Sequence, residues 1–209
     1  MNDTLVTRAF KLAAELHAGQ TRKASLVPNT PYLGHLMEVA GIVMSSGAPE
    51  VAVAAALLHD AIEDQGAGTR TLIMEQLGDE VLRLVEECTE PGTGGPTKAP
   101  WRERKEGYLQ QVHTASPYAL LIKCADKLHN ARDLRKQVWF EGARAYTAFS
   151  TGKDDKLWFY NAFVRAARQR LATLQYQQPS EEPLLQSITY LLDELQTVLH
   201  DLDHTPSPS

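Results

Sequence analysis

The amino-acid sequence predicts an all-α fold, one helical bundle of about eight to ten helices. Apolar residues recur at three- and four-residue steps along most of the chain, Pro- and Gly-rich breaks fall between these runs, and strand-type alternation is scarce. With 209 residues and 43% hydrophobic content, the chain has enough apolar material for a sizeable core.

The first helix follows from Leu5, Ala9, Leu12, Ala13 and Leu16, with Gly19 as its stop. "QTRKASLVPNTPY" then reads as a polar loop in which Pro28 and Pro31 break any helix. A second helix is predicted over 33–46. After the break "SGAP", Pro49 opens a third that runs through Ala54 to about Ala61. "TLIMEQLGDEVLRLVEECTE" gives two short helices separated at Gly78 and Asp79. "PGTGGPTKAP" is the clearest linker, read as an internal loop because the polar residues discussed below fall on both sides of it. Four more helices are expected over 101–113, 117–137, 155–176 and 182–202. Of these, "YALLIKCADKL" could be a strand, but its length and polar continuation favour helix. One domain is expected over 1–203, with core motifs in 17–137 and additional helices in 154–202. The tail "HTPSPS", 204–209, is expected to be disordered.

Composition narrows the function classes. A formal charge of −5 argues against a surface built to hold long nucleic acids. Cys88 and Cys124 lie far apart and form no CxxC pair, so neither a thiolate zinc site nor a disulfide framework is expected. "MNDTLVTRAFKLAAELHAGQ" carries acidic residues and helical periodicity, unlike a signal peptide. No segment approaches the roughly 20 apolar residues that cross a bilayer. A soluble cytoplasmic protein with no membrane partner is the expectation.

The chemistry concentrates in "AAALLHDAIED", where an apolar run ends in His59, Asp60, Glu63 and Asp64. If the helix continues, these side chains lie three and four residues apart along neighbouring ridges. Burying such carboxylates unpaired costs several kcal/mol, so either a cation compensates them or they form a solvated helix end. Alone, the cluster favours the solvated end. His35, set among Leu33, Leu36 and Val39, reads by itself as a hydrogen-bonded core histidine, and Asp126 as an ion-pair partner of Lys123 or Lys127. Taken with His59 and Asp60, they form a two-imidazole, two-carboxylate shell suited to manganese, iron or zinc, and spacing alone does not choose among these.

An isolated His35, a consecutive His59-Asp60 and a later Asp126 make an H…HD…D pattern, and in this the chain resembles HD-domain metal-dependent phosphohydrolases. "HAGQTRKASLVPNTPYLGHLMEVA", "ALLHDAIEDQGA", "LGDEVLRLVEECTE" and "LIKCADKLHNARDL" resemble the successive motifs of the hydrolase domain of Rel/SpoT enzymes, over roughly the first two thirds of the chain. The chain is thus similar to a stand-alone small alarmone hydrolase with an HD-domain bundle. One departure is Leu36, where the first metal histidine of the family is often followed by Pro.

The resemblance implies that His35, His59, Asp60 and Asp126 hold one ion, normally Mn²⁺, with another divalent transition metal as the alternative. It implies that Glu63 and Asp64 act beside the ion on a metal-activated water, without dividing acid and base roles between them. The reaction implied is removal of the 3′-pyrophosphate from (p)ppGpp to give GDP or GTP. Arg22 and Lys23 match the family's "RK" before the first metal histidine and are implied to contact the purine nucleotide, as are Asn130 and Asp133, four and seven residues after Asp126. His129 points about 100° away from Asn130 and stays outside the expected shell. Cations between Lys98 and Lys105, with Lys153 and Lys156, are candidates for the 5′ phosphates, although "RERKEGY" reads equally as a solvated helix face.

Other functions compete with this one. The same shell could act on adenosine alarmones such as (p)ppApp or on the phosphate of NADPH, because it attacks phosphorus and is indifferent to the base. A non-catalytic alarmone sensor is a different class, and the intact polar set argues against it. A purely structural helical protein is the third. Apolar surface near the C-terminus makes a homodimer a further expectation.

Overall fold

The computed structural model describes residues 3–23, 25–66, 68–92 and 99–204. Among these are ten α-helices and no strand: α1 (Leu5–Leu16), α2 (Tyr32–Ser45), α3 (Glu50–Leu57), α4 (Ala61–Gln65), α5 (Thr69–Leu77), α6 (Asp79–Cys88), α7 (Trp101–Val112), α8 (Pro117–Glu141), α9 (Lys153–Gln177) and α10 (Glu182–His204). Short 3₁₀ turns cover Gly142–Ala148 and Pro179–Glu181. The all-α expectation therefore holds. His204, expected to open the tail, instead ends α10, and residues 205–209 of that tail lie outside the described residues. So do residues 93–98 of the linker "PGTGGPTKAP".

Local chemistry sets the helix ends. Thr4 Oγ1 accepts from the Thr7 amide at 3.2 Å to open α1, and Ser116 Oγ accepts from the Ala119 amide at 3.4 Å ahead of Pro117, the first residue of α8. Gly78 closes α5 and opens α6 at φ +94°, a conformation that a side chain would strain. It donates to the Ile73 and Met74 carbonyls and accepts from the Leu82 amide, so one residue serves both helices.

The α3 helix is shorter than its periodicity predicts. It stops at Leu57, and the chain turns through Leu58, His59 and Asp60 before restarting as α4. In an unbroken helix the Ala56 carbonyl would accept from the Asp60 amide. Here His59 Nδ1 takes that carbonyl at 2.7 Å, and the Asp60 carbonyl accepts from the Asp64 amide at 2.9 Å to begin α4. The break turns His59 and Asp60 off the helix that carries them inward.

Ala52, Ala54, Ala55 and Ala56 are fully buried, and these small side chains let α1, α2 and α6 pack closely around α3. The 25-residue α8, about 37 Å long by helical rise, is the spine of the second half, with α2, α6 and α10 against it and α9 laid between α7 and α10. Most of the core is apolar, so its polar members stand out: buried His35, His59, Asp126 and His129 gather where α2, the α3–α4 turn and α8 meet. No helix among the described residues is long and apolar enough to cross a membrane.

Candidate active site

His35 on α2, His59 in the α3–α4 turn and Asp126 on α8 bring one ligand atom each to within 4.8 Å of one another. Asp126 Oδ1 lies 3.4 Å from His35 Nε2 and 3.6 Å from His59 Nε2. Asp60 Oδ2 lies 3.6 and 3.1 Å from the same two nitrogens. Both Nε2 atoms are buried and have no hydrogen-bond partner among the described residues. Two orphaned imidazole nitrogens converging on two carboxylates suit a divalent cation with mixed nitrogen and oxygen ligands, which is the test a metal must pass here. Each ring is held from behind. His59 Nδ1 is bonded to the Ala56 carbonyl, and His35 Nδ1 to His129 Nδ1 at 2.8 Å, while His129 Nε2 faces Glu38 Oε2 at 3.1 Å.

The charges are strongly coupled. Burial opposes ionisation of Asp60, but His59 and His35 outweigh it and hold its carboxyl well below the usual carboxylate range. Burial opposes ionisation of Asp126 too; Lys127 beside it, then His35 and His59, keep it ionised. The bland reading of Asp126 as a partner of Lys127 is therefore half of the picture, since this carboxylate serves Lys127 and the histidines together. Lys123 turns elsewhere, to the Tyr108 ring at 4.0 Å and Gln111 at 3.3 Å. The Tyr32 hydroxyl donates to Asp60 Oδ2 and Asn130 Nδ2 to Asp126 Oδ1, so both carboxylates are oriented by neighbours.

Glu63 and Asp64 stand on α4, one turn beyond Asp60. Burial first, then the charges of Asp60 and Glu90, push the Glu63 carboxyl up to about 7. Burial and Asp60 also raise Asp64, whose Oδ2 accepts from Gln20 Nε2 at 2.7 Å. Both line a cleft of about 320 Å³. Arg22 crosses this cleft: its Nη2 donates to Asn130 Oδ1 at 2.8 Å and Asp133 Oδ2 at 3.1 Å, and its guanidinium lies 5.7 Å from the Tyr32 ring centre. The loop that carries Arg22 is tied by the Arg22 amide to the Thr30 carbonyl and by the Tyr32 amide to the Gln20 carbonyl, each at 2.9 Å. Lys23 lines the same cleft.

Three further lysines, Lys105, Lys127 and Lys156, also face the cleft. Burial, with Lys105, Lys127 and Lys23 nearby, pushes the Lys156 ammonium down to about 8 as it lies 3.8 Å from the Phe149 ring centre. The candidate cations of 98–105 divide. Arg102 packs on Trp158 at the surface, Lys105 turns inward, and Lys98 lies outside the described residues. Lys153 donates to the Asp203 carbonyl at 3.0 Å and does not line the cleft. The sequence reading passes over Tyr32 and Gln20, takes Lys127 only as an ion-pair partner of Asp126, and leaves His129 aside. Tyr32 and Lys127 are near or adjacent to ligands in sequence, but nothing in their spacing separates them from ordinary neighbours.

The HD domain family model matches residues 9–149. The guanosine-3′,5′-bis(diphosphate) 3′-pyrophosphohydrolases MESH1 of Mus musculus and Homo sapiens are each 40% identical over 130 residues, covering 61% of this chain and 68% of theirs. A probable GTP pyrophosphokinase of Mycobacterium leprae is 36% identical over 137 residues, 64% of this chain but 16% of that protein, so the chain spans a small part of that relative's length. Among solved structures, a metazoan ortholog of SpoT, described as hydrolysing ppGpp, superposes with a TM-score of 0.67 over 96% of both chains at 24% identity, which shows the fold. A structure from Listeria monocytogenes EGD-e, at 30% identity and a TM-score of 0.61, covers 76% of this chain and 96% of its own.

Proposed function

The chain belongs to the HD domain family, and from that premise we propose that it removes the 3′-diphosphate of guanosine alarmones of the (p)ppGpp type, releasing pyrophosphate and GDP or GTP. The observation that carries this reading is the pair of orphaned imidazole nitrogens facing Asp60 and Asp126 at the inner end of a cleft lined by Arg22, Lys23 and three more lysines. Such a cleft fits a compact polyanion with a planar base.

His35, His59, Asp60 and Asp126 would hold the ion, and we take Mn²⁺ as the native one. A divalent ion supplies Lewis acidity, acidifying water and offsetting phosphoryl charge. Glu63, its carboxyl poised near neutrality, takes the proton of the attacking water, and Asp64, fixed by Gln20, orients it. Arg22, held by Asn130 and Asp133, offers its guanidinium to the purine across the cleft, while those two side chains keep acceptors near the nucleoside. Lys23 and Lys156 meet the 5′ phosphates, an assignment supported by the mutual repulsion that an anion between them would relieve. We further propose that the protein works in the cytoplasm.

Purified protein loaded with Mn²⁺ and given ppGpp, pppGpp, ppApp and NADPH tests the reading, with products identified by chromatography. Pyrophosphate with GDP or GTP is the expected result. Release of pyrophosphate from ppApp alone moves the assignment to adenosine alarmones, and release of orthophosphate from NADPH alone moves it to that dinucleotide.

A further inference from the structure

Behind the cleft, a smaller cavity of about 30 Å³ is walled by His59, Glu63, Glu90, Lys105, Lys127 and Asp126 among others. Glu63 and Lys105 face both spaces. Glu90 follows α6 and is 3% exposed. Its Oε1 lies 3.1 Å from Lys105 Nζ, and its Oε2 accepts from Arg104 Nη1 at 2.6 Å. Arg104 Nε in turn donates to the Ala99 carbonyl at 3.2 Å, so the residues on either side of 91–98 are fastened to one another through this carboxylate. Lys105 is further confined by the Phe159 ring, whose centre lies 5.0 Å from Nζ.

A buried ion pair of this kind adds little net stability over well-packed apolar side chains, because desolvation offsets attraction. What it does supply is a defined place for each partner. Lys105 is a flexible side chain ending in a point charge, and without a fixed carboxylate its ammonium could turn outward into the cleft. We propose that Glu90 is a positioning residue that holds the Lys105 ammonium beside Glu63, where it meets the oxygens of the 3′-diphosphate. Lys105 is then the catalytic residue, stabilising the charge that builds on the nonbridging oxygens of the 3′ α-phosphorus as water bonds to it and the P–O3′ bond breaks, the ribose 3′ oxygen leaving to take up a proton, and Glu90 acts through it. This assignment rests on the alarmone reading above.

A double-mutant cycle on the full chain loaded with Mn²⁺ tests it, with ppGpp kinetics, Mn²⁺ binding by calorimetry and melting temperature recorded for each protein. Lys105→Met is expected to lower kcat by about 10²-fold. Glu90→Gln should lower kcat by about tenfold, with KM moving less and Mn²⁺ binding unchanged, and the double variant should be no worse than Lys105→Met. Wild-type kcat in Glu90→Gln, or a tenfold loss repeated in full on the Lys105→Met background, overturns the inference. If Glu90→Gln does not fold, Glu90→Asp carries the same comparison, since it keeps the charge but withdraws it by one methylene. Wild-type protein that releases no pyrophosphate from ppGpp overturns the functional reading and this inference with it, whereas normal wild-type turnover with an indifferent Glu90 variant overturns the inference alone.

Discussion

Among single residues, Asp60 carries the most: its Oδ2 accepts the Tyr32 hydroxyl and faces both imidazole Nε2 atoms. Asp60→Ala is expected to abolish turnover and metal occupancy together, read by product assay and by elemental analysis of the dialysed protein. His129 makes a subtler case, since it supports His35 from behind and is not itself a candidate substrate contact. His129→Phe should weaken Mn²⁺ binding by about 10- to 100-fold in calorimetry while leaving all four ligands in place. Taken singly, His35, His59, Asp60 and Asp126 read as a core histidine, a charged helix end and an ion-pair partner; only their joint pattern marks them as a candidate shell, and the fold brings His35, His59 and Asp126 together. His129 is not legible in the sequence, because helical angle alone turns it away from Asn130, and only the approach of α2 to α8 shows that it supports His35 from behind. Glu90 is illegible for the same reason, being one acid among several at the end of an amphipathic helix.

At the scale of elements, three- and four-residue periodicity finds the helices, and Pro and Gly find most of their ends. It misses the break after Leu57, since that break depends on His59 competing for a backbone carbonyl, a side-chain event with no periodic signature. It also ends α8 at 137, whereas the helix runs on to Glu141 before the 3₁₀ turn. α8 carries an unusual burden in Lys123, 1% exposed and over the Tyr108 ring. Burial pushes this ammonium down to about 8 from its ordinary 10.5. Between those values the unfolded chain binds more protons than the folded one, so stability rises with pH through that window. The rise amounts to as much as about 3 kcal/mol, and below about pH 8 the buried charge is a cost. Lys123→Met should therefore raise stability at pH 7 and flatten the alkaline rise, as urea unfolding at pH 7 and pH 10 will show.

For the whole molecule, the proposed ion binding would be linked to folding, because the four candidate ligands converge only in the packed bundle. Mn²⁺ at 100 times its Kd should stabilise the protein by about 2.7 kcal/mol. For a chain of this size that corresponds to a rise in Tm of roughly 5–10 °C. A chelator should reverse it, and Asp126→Asn should show none of it in a thermal scan. The candidate ligands stand at positions 35, 59, 60 and 126, on two helices and the turn between two others. A growing polypeptide acquires three of them first and the fourth only after α7 and the first turns of α8 have been made. On the proposed assignment, metal capture is a late event in biosynthesis, and a product terminated before Asp126, however helical, would lack the complete set and the proposed hydrolytic activity with it.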